Sequence, residues 1–120
     1  MRMDKPGRMK HDIVLVPFPF DNLKTSKVRP AICLTSEVGH YDHLVIAFIT
    51  SRMDLSKEAS DLIVLEESEA FKMTGLKTSS VIRLHRLVTV PRKLIRRKLG
   101  RLPDALKSEL DLKLKELFDL

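Results

Sequence analysis

The sequence predicts a mainly β domain of the α+β kind, a small closed or nearly closed β-barrel with one short helix and a C-terminal helix packed on it. Three observations carry this. Several apolar runs of strand length, too short for ordinary helices, are separated by polar connections. The period then changes from two to helical after Pro91. Last, Pro103 opens a segment in which Leu102, Leu106, Leu110, Leu114 and Leu117 form one stripe, with Glu109/Lys113 and Asp111/Lys115 as favourable pairs.

The elements follow in order. Asp12 to Phe18 is a β-branched and apolar run that ends near Pro17, because Pro17 and Pro19 cannot continue a ladder. Asp21 to Val28 is a polar connection, and its lysines suit either a plain hairpin loop or one that closes over an anion. Pro30 pushes Arg29 into extended backbone at the mouth of the apolar run Ala31 to Leu34, so Arg29 faces outward from a strand end. Leu44 to Ile49 is apolar throughout, as befits a central strand buried on both faces; it turns abruptly polar at Thr50-Ser51-Arg52 and leads into a loop, Met53 to Ser60. Leu62 to Leu65 is a further short strand, and Ser68 to Thr74 is a helical turn anchored by Phe71 and stopped by Gly75.

Ser79 to Val90 is the longest strand signal, read as two strands or as one bent near Arg86. Period two puts Ile82, Leu84, Val88 and Val90 on one face, and Arg83 with His85 on the other. A short helix is then expected from Pro91 to Leu99, with Gly100 as its left-handed end and Leu102 as the apolar contact of that cap.

At 120 residues, one domain spanning 12–120 is expected, preceded by a basic extension, 1–11. Cys33 is the sole cysteine, which excludes an intramolecular disulfide and a multi-cysteine zinc site. No stretch is long and apolar enough to span a bilayer, so a cytoplasmic chain is expected. The net charge of +6 is unevenly spread. Lys77, Arg83, Arg86, Arg92, Lys93, Arg96, Arg97, Lys98 and Arg101 fall in one run without a carboxylate, while the acids concentrate between Glu37 and Glu69. Such a run draws a polyanion: nucleic acid or an acidic protein segment rather than a membrane, since it lacks a long amphipathic helix with bulky aromatics.

Taken together, Asp12-Ile-Val-Leu-Val-Pro-Phe-Pro-Phe, Val28-Arg29-Pro30-Ala31, Ala47-Phe48-Ile49-Thr50-Ser51, Gly75-Leu76, Ser80-Val81-Ile82 and Leu99-Gly100-Arg101-Leu102 resemble the PemK/MazF family. The resemblance implies an SH3-like barrel with appended helices, working as a homodimer. It implies the toxin of a toxin-antitoxin pair, a sequence-specific endoribonuclease that cuts single-stranded RNA without metal or other cofactor and is bound by a cognate acidic antitoxin. Carried over position by position, the family's essential arginine falls on Arg29 and its strand-end threonine on Thr50, while an arginine and acid used by some members fall on Arg83 and His85. RNA contacts are then expected from Lys24, Lys27, Ser51, Arg52 and Arg86. The chain departs from the pattern at His11, where a glycine is usual, and at His85, where the acid stands.

The chemistry agrees. Cutting RNA without a metal uses its 2'-hydroxyl as nucleophile, so the protein supplies a proton acceptor, a proton donor for the leaving 5'-oxygen and cations for the phosphorane. Arg29 and Arg83 suit the last role and cannot be bases, since guanidinium stays protonated. Thr50 suits donation to a non-bridging oxygen. His85 is either the base or an exposed strand histidine, with carboxylates such as Asp21 as the alternative base. His40 and His43, flanking Tyr41, read as loop polarity. Two other functions suit such a barrel: gyrase inhibition of the CcdB kind, and nucleic-acid binding without catalysis. The first acts through a Trp-Gly-Ile-like tail, whereas this chain has no tryptophan and ends Leu117-Phe118-Asp119-Leu120.

Overall fold

The computed structural model describes residues 9–18, 27–56 and 58–120. Its described strands are β1 (Asp12–Pro17), β2 (Val28–Cys33), β3 (His43–Thr50), β4 (Asp61–Val64), β5 (Ser80–Pro91) and β6 (Arg97–Arg101), followed by helix α1 (Asp104–Phe118). They form one curled antiparallel sheet in the order β4-β5-β3-β2-β1-β6. The edges are β4 and β6, and the 3-10 turn Glu69–Thr74 packs on β6, so the sheet is a curled half-barrel.

Both faces of the sheet are covered, which explains runs that are apolar throughout instead of alternating. On one face Ile13, Ile32, Ala47, Ile49 and Ile82 meet Leu102 and Leu110, with Leu106 and Leu114 of α1 packed alongside. On the other, Val14, Val16, Ala31, Cys33, Leu44 and Ile46 bury against one another. The leucine stripe is thus core contact through Leu114, while Leu117 lies partly exposed. The Lys113 ammonium donates to the Ala59 carbonyl at 2.9 Å and ties α1 to the connection before β4. Among the described residues, no helix is long and apolar enough to cross a membrane.

Two expectations need correction. The 80–91 segment is one bent strand, but its apolar residues do not share a face. Phe48 pairs with Arg83 and Ala47 with Leu87, so Leu84, His85 and Arg86 are all accommodated within a single step of β3. An odd number of inserted residues reverses the alternation. Ile82 and Leu84 therefore join the face covered by α1, and Val88 and Val90 join the opposite one.

The second correction concerns the helix expected from Pro91 to Leu99. Only Arg92–Leu94 makes a 3-10 turn, and the chain then enters β6, pairing Arg97 with Leu15 and Gly100 with Ile13. Pairing along β1 overrides the helical spacing, and the lysine and arginines of β6 suit an exposed sheet edge. Gly100 is a strand residue, not a left-handed cap: a Cβ there would lie 2.2 Å from the Met73 carbonyl oxygen. Gly75 does end its turn as expected, at φ 73°.

Gly100→Ala should therefore destabilise the protein by about 2 kcal/mol through overpacking against backbone that has little room to move. Urea denaturation of the variant checks this, and an unchanged midpoint would contradict the close packing of β6 on the Glu69–Thr74 turn.

Candidate active site

The β2–β3 ladder covers only Ala31 to Cys33, beginning where Ala31 meets Phe48. Pro30 has no N–H to donate, so the two strands part there. Continuing the register would set Arg29 opposite Thr50. Instead the strands diverge around a cavity of about 890 Å³, lined by both residues. Arg29 stays paired to Val16 through β1, and its side chain is exposed. The expected strand-end position of this arginine is thus the observed one.

Among the described residues six cations line the cavity, Arg29, Arg52, Lys77, Arg83, Arg86 and Arg97, and no carboxylate does. Low-dielectric walls carrying one sign of charge concentrate a polyanion. Thr50, Ser51, Thr78 and Ser80 add hydroxyls. Phe18 and Phe48, edge to face with centroids 5.1 Å apart, add aromatic surface of the kind on which unpaired bases stack.

Local bonding sets each group. The Thr50 hydroxyl oxygen accepts the Arg52 N–H at 3.1 Å, which orients the side chain and leaves its proton to be donated. Arg52 is held at the rim by Asp54, with Nε donating to Oδ1 at 3.0 Å and Nη2 to Oδ2 at 2.7 Å. This fork raises the Arg52 pKa and lowers that of Asp54. Arg83 donates from Nε to Oδ1 of Asp61 at 3.2 Å, and the Asp61 side chain is only 1% exposed. His85 comes to the same carboxylate, its Nδ1 3.9 Å from Oδ1, and is not itself among the lining residues.

Of the residues singled out in the sequence, Arg29, Thr50, Ser51, Arg52, Arg83 and Arg86 are brought together at one cavity. Lys27 is exposed and outside the lining, and Lys24 and Asp21 lie outside the described residues. The nine-cation run is divided: Arg92 pairs with Glu37 at 3.6 Å and Lys98 with Asp12 at 3.4 Å, away from the cavity. Sequence reasoning missed Asp61, Lys77 and Arg97 as individual site groups. Arg97 was hidden by the helical reading of its segment, and only the β4–β5 register, Asp61 opposite Arg83, reveals Asp61. Cys33 is no nucleophile, since burial pushes its thiol up to about 12 and keeps it neutral.

A family model described as PemK-like, MazF-like toxin of type II toxin-antitoxin systems matches residues 9–118. The chain belongs to this toxin family. Solved structures agree in fold. The Mycobacterium tuberculosis toxin MazF-mt6 superposes with a TM-score of 0.68 at 24% identity, covering 91% of this chain and 97% of that one. An endoribonuclease in complex with its cognate antitoxin, from mycobacterial species, also gives a TM-score of 0.68, at 9% identity and 97% of both chains. No curated protein sequence matches. The half-barrel and its C-terminal helix are thus the MazF-like architecture, as the motif resemblance implied.

At the cavity rim of this MazF-like toxin, Glu66 fastens the segment leading into β5. Its Oε1 accepts from the Thr78 hydroxyl at 2.6 Å and from the Ser79 N–H at 3.0 Å, and these bonds lower its pKa from 4.5. A carboxyl with a depressed folded pKa stabilises the fold above its unfolded value, and that contribution is lost as pH falls through the folded value. The stability difference between the wild type and Glu66→Gln should therefore be present at neutral pH and shrink as the solution is acidified below 4.5. Denaturant titrations across that range measure it, and a difference independent of pH would rule out the ionised contact.

Proposed function

We propose that this toxin is a sequence-specific endoribonuclease that cuts single-stranded RNA by attack of the 2'-hydroxyl on its own phosphodiester. The observation that carries the reading is the cavity, with six cations and no carboxylate among its described lining residues, and Arg29 and Thr50 at its parted strand ends. The structural neighbour named as an endoribonuclease supports it. In the reaction the 2'-oxygen forms a bond to phosphorus as the bond to the 5'-oxygen breaks, giving a 2',3'-cyclic phosphate and a 5'-oxygen that takes a proton from water to become the 5'-hydroxyl. Arg29 and Arg83 stabilise the charge on the phosphorane, and Thr50 donates to a non-bridging oxygen. His85, set in the bulge between two cavity-lining arginines, takes the 2'-proton. No step requires a metal, so cleavage proceeds in excess EDTA.

The same charge distribution suits the antitoxin. An acidic antitoxin segment that folds on binding would compete with RNA for the Arg29 and Arg83 surface; one structural neighbour is named as an endoribonuclease in complex with its cognate antitoxin. The toxin acts as a homodimer in the cytoplasm, where its RNA substrate is found.

Arg29→Ala should leave the fold intact and slow cleavage by about a hundredfold or more, the usual cost of removing one electrostatic donor. A folded variant that cuts RNA at the wild-type rate would sink the assignment. His85→Gln should lower the single-turnover rate by roughly a hundredfold and change its pH–rate profile. If the pH–rate profile is unchanged in His85→Gln, the base is another group.

A further inference from the structure

We propose that Asp61 is a positioning residue of this site, its buried carboxylate holding the Arg83 guanidinium in place for the scissile phosphate. The inference rests on the endoribonuclease reading above, and its own evidence is the geometry at the start of β4.

A carboxylate removed from water is costly unless its oxygens are occupied by good donors. Asp61 is such a group. Its Oδ2 accepts the Glu58 N–H at 3.1 Å, while its own N–H donates to the Glu58 carbonyl at 3.0 Å. This reciprocal pair locks the carboxylate to its own turn before any partner from β5 is considered. Oδ1 then accepts Arg83 Nε at 3.2 Å across the β4–β5 register. The acid is thus fixed by its backbone, and the arginine is fixed by the acid.

The choice of Nε matters chemically. A guanidinium gripped through Nε keeps its Nη edge for a second oxyanion, whereas Arg52 commits both Nε and Nη2 to Asp54. Arg52 and Asp54 are also well exposed, so water and salt compete with that pair. Arg83 is largely buried yet still lines the cavity. Of the two arginine–carboxylate pairs found at the cavity among the described residues, the Arg83 pair therefore has the geometry of a preorganised donor, one that needs no rearrangement as charge develops on phosphorus.

Asn at position 61 cannot reproduce the arrangement. Both carboxylate oxygens accept hydrogen bonds, from Arg83 and from Glu58, whereas an amide offers only one acceptor atom. Because the Glu58 contact is local, the arginine is the partner expected to be lost.

The test uses the full chain as wild type, Asp61→Asn, Arg83→Ala and the double variant. Single-turnover cleavage is followed on a single-stranded RNA oligomer, and binding on the same oligomer carrying 2'-O-methyl groups, which cannot react. Asp61→Asn should slow cleavage by roughly tenfold to a hundredfold while affinity for the unreactive oligomer changes by no more than about twofold, because the loss is one of orientation. In the Arg83→Ala background the same change should cost clearly less than in the wild type, the remainder acting through His85, whose Nδ1 lies 3.9 Å from the same carboxylate oxygen. A purely structural Asp61 would slow both backgrounds alike, and that result overturns the proposal, as does wild-type cleavage by folded Asp61→Asn.

A second measurement does not depend on catalysis. In NMR spectra of the free protein the Arg83 Nε–H should be protected from exchange with water, and Asp61→Asn should remove that protection. Unchanged protection overturns the proposal even if cleavage falls. If the wild type cuts no RNA, the endoribonuclease reading fails, while the Nε–H signal still decides whether Asp61 holds Arg83.

Discussion

Pro30 ends the β2–β3 ladder, and the site depends on that interruption. A sheet buried on both faces has nowhere to admit solvent or substrate except where its strands separate. By lacking an N–H, Pro30 stops the pairing with β3 one residue before Ala31 while β2 continues along β1 through Leu15 and Val16. One side of β2 is thus anchored, and the other is open. Arg29 and Thr50, which a continued ladder would have set opposite each other, stand instead at the mouth of a cavity that both line.

Bringing six cations to one cavity creates repulsion that the surrounding structure must offset. The carboxylates that do so lie to the side of the cavity or beneath its wall. Asp54 holds Arg52 at the rim, and Asp61 holds Arg83 from a buried position. Each partner neutralises part of the field locally without lining the space into which a polyanion would enter. Placing the acids elsewhere serves the fold instead: Asp12 with Lys98 and Glu37 with Arg92 secure basic residues that do not line the cavity. The basic run that looks uniform in sequence is therefore divided into cavity groups and structural groups by which strand end each residue reaches.

That division marks the limit of what the sequence discloses. Apolar runs closed by proline, the left-handed Gly75 and the leucine stripe of α1 are local signals, and the structure follows them. The strand-end positions of Arg29 and Thr50 follow from local signals too, Pro30 for the one and the abrupt turn to polar residues for the other. What escaped depends on pairing between distant segments. Arg97 to Arg101 carries a spacing that suits a helix, yet β1 offers it a ladder. The alternation along β5 is readable only up to Leu84, because the bulge that reverses it is a property of how β3 lies alongside. Asp61 has no local signature at all.

The bulge also explains how one long strand serves both the core and the site. Without it, β5 would keep one parity along its whole length, and the face carrying Ile82 and Leu84 against α1 would carry Val88 and Val90 there too. Leu44 and Ile46 would then lack the apolar neighbours that Val88 and Val90 provide on the opposite face. Inserting Leu84, His85 and Arg86 lets each half of β5 bury its own apolar residues on the face where a core exists. The cost is a step at which three residues have no β3 register partner, and it falls beside the cavity. His85 and Arg86 occupy that step, so the irregularity that reconciles two hydrophobic faces is also what presents polar side chains next to Arg83.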